Sequence, residues 1–120
     1  MALASAPMTI VETPLFERKV AKLLSEEERA ALVLSIGTNP EAGEIIPDTG
    51  GVRKLRWALE GRGKSSGARV IYYFHNERIP IVLLSIYAKG VKVNLSQAER
   101  NGLSKLIPEL VRQFTKGRRV

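Results

Sequence analysis

The fold is decided by residues 52–89, VRKLRWALEGRGKSSGARVIYYFHNERIPIVLLSIYAK, which hold three β-strand patterns in succession. Val52–Leu59 and Ala68–His75 are rich in β-branched and aromatic residues, and the glycine-rich polar residues 61–67 separate them. Ile79–Lys89 is almost continuously apolar, which is typical of a central strand covered on both faces. The short connections between these strands predict an antiparallel meander.

The residues before the meander predict a strand and two short helices. Met8–Glu12 is apolar and β-branched, and Thr13-Pro14 is a typical helix start, with Thr at the cap and Pro at the first helical position. Ser25 and Glu28 have the spacing of a capping box, which predicts the start of a second helix.

Residues 40–51, rich in glycine and proline, predict a loop. After the meander, Ser96 and Glu99 form another capping box. Apolar residues then recur on one face of a helix, and Pro108 is expected to kink or restart that helix.

The predicted order is β-α-α-β-β-β-α, an α+β domain with an antiparallel sheet and helices packed on one face. The first strand adds at an edge or pairs in parallel. The chain of 120 residues is long enough for one core. We expect residues 1–7 to be a flexible extension, 8–115 the domain and 116–120 a basic tail.

The composition restricts the function. The net charge of +7 favours a polyanionic partner, either nucleic acid or an acidic protein. The absence of cysteine excludes thiol catalysis and cysteine-ligated zinc, and the single His75 excludes a histidine pair. No apolar run approaches the roughly 20 residues that span a bilayer, and the first seven residues lack the features of a signal peptide. We therefore expect a cytoplasmic protein with no membrane association, no bound metal and no cofactor.

Strand alternation predicts a cationic face. Leu55, Trp57 and Leu59 share one face of their strand, and Lys54 and Arg56 share the other, roughly 7 Å apart. The meander can add residues from its second and third strands, so that one patch would contain Lys54, Arg56, Arg69, Tyr87 and Lys89.

Such a patch suits the cleavage of RNA. Guanidinium groups hold phosphate oxygens and stabilise the charge that develops there, and the 2′-OH of RNA is an internal nucleophile. Proton transfer would come from a tyrosine or from a lysine whose charged form is disfavoured by neighbouring cations. On spacing alone, however, Lys54 and Arg56 are more often a solvated strand face. Tyr72 and Tyr73 are expected to pack in the sheet, and His75 is expected to be passive.

Two segments carry a family resemblance: Thr49–Ala58, TGGVRKLRWA, and Gly61–Phe74, GRGKSSGARVIYYF. Together with the third strand and the following Asn94-Leu95-Ser96, they resemble the RelE/HigB-type toxins of bacterial type II toxin–antitoxin modules, in particular the HigB-like branch. The order of elements agrees from about Met8 to Phe114.

The resemblance implies a small RelE-like fold and a ribosome-dependent mRNA endoribonuclease that inhibits translation by metal-independent 2′-OH attack. By position it implies that the catalytic residues are Lys54, Arg56, Arg69, Tyr87 and Lys89. The other basic residues assigned to RNA binding are Arg53, Arg62, Lys64 and Lys92.

The resemblance also implies partners. These are the ribosome with its mRNA and a cognate antitoxin of the helix-turn-helix type, which alone would contact operator DNA. This sequence departs from RelE in having no tyrosine after Tyr87, so the acid and the base stay unassigned. The alternatives are a non-catalytic RNA- or ribosome-binding module and a protein-interaction domain whose charge serves only solubility or binding of the antitoxin.

Overall fold

The computed structural model describes residues 6–58, 67–91 and 94–117. Within them the chain forms one sheet with strand order β1-β5-β4-β3-β2, together with three helices, and the predicted α+β class is confirmed. In chain order the elements are β1 (Ile10–Glu12), α1 (Pro14–Leu23), α2 (Glu26–Thr38), β2 (Glu44–Ile45), β3 (Val52–Trp57), β4 (Ala68–Tyr73), β5 (Ile81–Ala88) and α3 (Gln97–Gly117).

The sheet is mixed rather than purely antiparallel. The meander β3-β4-β5 is antiparallel as predicted, whereas β1 pairs in parallel with β5 at the edge of the sheet. The α1–α2 pair carries the chain from β1 at one edge of the sheet to β2 at the opposite edge, and the meander then returns it to β5 beside β1. A parallel pair needs such a long connection. Strand β2 was missed by the sequence prediction because two residues are too few to show a periodicity.

The predicted packing of all helices on one face is wrong. Alternate residues of β4 belong to separate cores: Val70 and Tyr72 pack with α1 and α2, while Ile71 and Tyr73 pack with α3. We call the side covered by the helical hairpin α1–α2 the hairpin face, and the side covered by α3 the α3 face. The apolar side chains on both faces of β4 and β5 must leave water, and the apolar stripe of α3 covers the second face.

The side chain of Thr13 attaches the start of α1 to strand β5. Its hydroxyl accepts a hydrogen bond from the Phe16 amide at 3.2 Å and donates to the Leu83 carbonyl at 3.0 Å. Strand β5 contains a bulge opposite Ile71 and Tyr72, so that Ser85 pairs with Ile71 but Leu83 pairs with Tyr72. The extra residue lets both Leu83 and Ile86 face the hairpin helices.

Helix α2 begins at the predicted capping box. The Ser25 hydroxyl accepts from the Glu28 amide at 3.1 Å, and the Glu28 carboxylate accepts from the Ser25 amide at 2.9 Å. The side chain of Arg29 then forms an ion pair with Glu12, which attaches this helix to the edge strand β1.

A tight turn leads into β3. The buried Thr49 hydroxyl donates to the Ile46 carbonyl at 2.7 Å and accepts from the Val52 amide at 3.0 Å. Gly50 and Gly51 both have positive φ, 80° and 107°, which is a conformation that residues with a Cβ rarely adopt. This turn sets the register at which β3 starts.

Helix α3 also begins at its predicted capping box, formed by Ser96 and Glu99. It is continuous across Pro108, so the predicted restart does not occur. Of its described side chains, only that of Ile107 is buried. In the described part of the chain, no helix has both the length and the apolar character needed to cross a bilayer.

Candidate functional site

Three predicted site residues lie in one row across the meander. Arg56 of β3 is directly opposite Arg69 of β4, and Arg69 is directly opposite Tyr87 of β5. Directly paired residues point to the same face, with Cβ atoms about 4.5–5.5 Å apart. We call Arg56, Arg69 and Tyr87 the cross-strand row, and it lies on the α3 face.

The two arginines of the row have no acidic partner among the described residues. Arg56 is exposed and Arg69 is partly exposed, and no acidic side chain among the described residues forms an ion pair with either. The Arg69 guanidinium donates to the carbonyl of Ala68 at 3.2 Å. Two like charges directly opposite each other repel, so this pair lowers stability unless an anion neutralises it.

Lys89 extends the row and Lys54 is placed beside it. Lys89 is exposed just after β5, and its amide donates to the Gly67 carbonyl at 2.9 Å, which holds it next to the start of β4. Lys54 lies on the same face as Arg56, two residues earlier, but its ammonium donates to the Asn94 side chain at 3.3 Å. The lysine thus faces the segment before α3.

Tyr87 is largely enclosed. Its side chain is 6% exposed and belongs to the core beneath α3. It also forms part of the floor of an apolar groove of about 610 Å³ between β5 and the first half of α3, with walls that include Leu15, Leu103 and Leu106. Access to the Tyr87 ring is therefore through this groove.

Arg53 lies on the hairpin face, away from the row. Its guanidinium donates to the Gly43 carbonyl at 2.8 Å and to the Glu41 carbonyl at 3.3 Å, and it forms an ion pair with the Glu41 carboxylate at 3.7 Å. The side chain is 14% exposed. Arg53 thus holds the loop before β2 against the sheet. The predicted RNA-binding residues Arg62, Lys64 and Lys92 lie outside the described residues.

Tyr72 holds the same loop from below. Its hydroxyl donates to the Pro40 carbonyl at 2.7 Å and accepts from the Gly43 amide at 2.8 Å. A Cβ at Gly43 would lie 2.9 Å from the Tyr72 ring, so glycine is required for this close approach. Burial raises the pKa of Tyr72 above its usual value.

Tyr73 and His75 form a second polar pair at the opposite end of β4. The Tyr73 hydroxyl and His75 Nδ1 are hydrogen-bonded at 2.7 Å, beside a cavity that is also lined by Arg112 and Lys116 of α3. Burial raises the pKa of Tyr73, so the phenol keeps its proton. The pair therefore fastens the strand end.

Arg100 was missed by the sequence prediction. It lies in the first turn of α3 and lines a small cavity together with Lys54 and Asn94. Its Nε atom is buried and has no hydrogen-bond partner in the described part of the chain. Sequence offered no signal for it, because the placement of α3 over β3 depends on tertiary packing.

No known protein-family model matches this sequence.

The arrangement concentrates positive charge at one open end of the α3 face. Arg56 and Arg69 can share one phosphate, since each guanidinium offers a fork of N–H donors to phosphate oxygens. Lys89 is exposed at the same end of the sheet, and Tyr87 is at the end of the row. The chemistry that this set can perform is phosphate binding with stabilisation of added negative charge.

Proposed function

We propose that the protein is an endoribonuclease of the RelE/HigB toxin type, which cuts mRNA on the ribosome and so inhibits translation. The single observation that carries this proposal is the direct pairing of Arg56 with Arg69 on an accessible face without acidic partners among the described residues. An uncompensated pair of cations has no stabilising role of its own, and a scissile phosphate is a ligand that compensates it.

In the proposed reaction the 2′-OH attacks the adjacent phosphorus and loses its proton to water, a 2′,3′-cyclic phosphate forms, and the bond to the 5′-oxygen of the next nucleotide breaks as that oxygen takes up a proton. Arg56 and Arg69 stabilise the extra negative charge on the phosphoryl oxygens. The exposed Lys89 is the better placed group for giving the leaving 5′-oxygen its proton, because Tyr87 is 6% exposed and lines the groove under α3. Tyr87 then supports the Arg69 side chain from the neighbouring strand.

The resemblance and the net charge of +7 extend the proposal to partners. The toxin would act in the cytoplasm, and an antitoxin with acidic residues would neutralise the cationic end of the sheet. Any contact with operator DNA would then be made by the antitoxin.

The test is Arg69→Ala. Loss of one charge-stabilising donor is expected to lower the cleavage rate by about 10²–10³-fold. Cleavage of mRNA on purified translating ribosomes and growth after induced expression are the measurements. Arg78→Ala is the control, since Arg78 is an exposed arginine that lies at the turn beyond the other end of β4. Equal toxicity of wild type and Arg69→Ala at equal expression contradicts the proposal.

The burial of Tyr87 favours one alternative, a module that binds RNA or the ribosome without cutting. Its signature is binding with a steep salt dependence and intact mRNA. Mapping of mRNA 5′ ends after induction separates the two functions.

A further inference from the structure

A small cavity lies beside the cross-strand row and has an unusual mixture of charges. It occupies about 140 Å³ between the β2–β3 edge and the start of α3. Its polar lining consists of the Glu44 carboxylate, the Asn94 amide and the cations of Lys54 and Arg100. Its apolar lining consists of Ile45, Ile46 and Pro47 on one side and Leu95 on the other. We call it the edge pocket.

Part of the polar lining of the edge pocket is left without a partner by the described part of the chain. The Arg100 Nε donor is buried without a hydrogen-bond partner among the described residues. Glu44 is directly opposite Lys54 in the sheet, yet the two form no ion pair, and Lys54 donates to Asn94 instead. The buried Arg100 donor calls for an acceptor, and the exposed Glu44 carboxylate can accept from a ligand that also carries a donor.

The composition of the pocket excludes a bare phosphate as its best ligand. A phosphate at Arg100 would be repelled by the Glu44 carboxylate and would gain nothing from Ile46, Pro47 and Leu95. A flat heteroaromatic ring with polar edges satisfies both parts of the lining. Guanine offers two acceptors, O6 and N7, to an arginine and offers ring and amino N–H donors to a carboxylate.

We propose that the edge pocket binds a guanine base of the RNA, with Arg100 donating to O6 and N7 and Glu44 accepting from the N–H edge. Lys54 lines the pocket and lies two residues from Arg56 on the same face, which is about 7 Å along the strand. That step places the pocket one nucleotide from a phosphate held by the cross-strand row. The identity of the ligand as RNA rests on the proposed function.

Guanosine and adenosine, which carry no phosphate, are the probes for the pocket alone. In NMR titrations of the full-length protein, guanosine is expected to shift the amides of Glu44, Asn94 and Arg100 at concentrations at least tenfold lower than adenosine does. Arg100→Ala is expected to weaken guanosine binding at least tenfold. Lys105→Ala, an exposed lysine of the same helix, is expected to leave it unchanged.

Glu44→Gln keeps the fold, because Glu44 is exposed on a two-residue edge strand, and it is expected to abolish the preference for guanosine over adenosine. Equal affinity for both nucleosides in the wild type, or shifts that survive Arg100→Ala in a folded protein, overturn the proposal.

Mapping of cleavage sites separates this inference from the proposed function. If both hold, guanine is enriched next to the cuts of the wild type and this enrichment is lost in Arg100→Ala. If guanosine binds but no mRNA is cut, the nuclease proposal fails and the pocket stands. If mRNA is cut without any base enrichment and guanosine does not bind, the pocket fails and the nuclease stands.

Discussion

Arg56 and Arg69 show how one cross-strand pair can oppose stability. The two guanidinium groups start from directly paired positions of β3 and β4, and the described part of the chain provides no carboxylate between them. Their repulsion is present in the folded state and is largely absent from the unfolded chain. Such an arrangement is typical of residues kept for a ligand rather than for the fold.

We expect Arg56→Gln to stabilise the protein, because it removes one charge and keeps most of the side-chain length. The gain should be roughly 0.2–1 kcal/mol, the range for direct cross-strand pairs, and should shrink in high salt. Urea unfolding at low and high ionic strength measures it. A loss of stability in Arg56→Gln at low salt would show that the arginine contributes packing or a contact that outweighs the repulsion.

Because Tyr72 is buried, we expect the free energy of unfolding to depend on pH in the alkaline range. Burial raises the pKa of Tyr72 in the folded state above the unfolded value of about 10. The folded state therefore holds the phenolic proton more tightly than the unfolded state does. The resulting contribution of Tyr72 to the free energy of unfolding is complete below about pH 10 and is lost as pH rises through the folded pKa. Unfolding by urea between pH 8 and pH 11 should show declining stability.

The matched variant for that measurement is Tyr72→Phe. At neutral pH it should cost about 1–3 kcal/mol, because it leaves the Gly43 amide and the Pro40 carbonyl without their partner. Above pH 10 its stability should decline less steeply than that of the wild type, with the remaining slope due to Tyr73. Identical slopes for the two proteins would contradict this assignment.

Sequence predicted the faces of residues better than their contacts. Alternation placed Lys54 and Arg56 on one face and Leu55 and Trp57 on the other, and the structure confirms both sets. The same alternation places Arg53 on the opposite face from Lys54, although both residues are predicted to act on RNA. The contacts of Lys54 with Asn94, 40 residues later, depend on how α3 is attached, and no local pattern reports that.

At the scale of elements, the predictions that succeeded had a local cause. The caps of all three helices are set by side chains within three residues of the helix start, so Thr13, Ser25 and Ser96 were recognisable. The interior position of β5 followed from its continuous apolar run, which is buried on both faces. The side of the sheet on which α3 packs could not be predicted without knowing that β4 is apolar on both faces.

The start of α1 provides a test at this scale. Thr13→Ala removes the cap of α1 and also the hydroxyl that donates to the carbonyl of Leu83. We expect a loss of about 0.5–2 kcal/mol in the free energy of unfolding. Thr9→Ala, on an exposed threonine four residues earlier, should have little effect. Equal stability of both variants in thermal or urea unfolding would show that Thr13 is dispensable.

For the whole molecule, the excess of cations at one end of the sheet predicts salt-dependent binding of RNA. Each arginine that contacts a phosphate of single-stranded RNA should contribute a slope of about −0.7 to the dependence of log K on log salt. Arg56→Gln and Arg69→Gln should each flatten the slope by about that amount on a 2′-O-methyl RNA, which resists 2′-OH attack. Arg78→Gln should leave the slope as it is, and equal slopes for all three variants would exclude the row from the RNA interface.

The attachment of α3 has a consequence for the order in which the native state opens. Among the described side chains of this 21-residue helix only Ile107 is buried, whereas β4 and β5 are buried along nearly their whole length. Helix α3 should therefore detach in sub-global openings, and its amides should exchange with solvent deuterium well before those of the central strands. A molecule opened in this way would retain both arginines of the row but would have lost the contacts of Arg100. It would therefore bind RNA without the proposed preference for guanine.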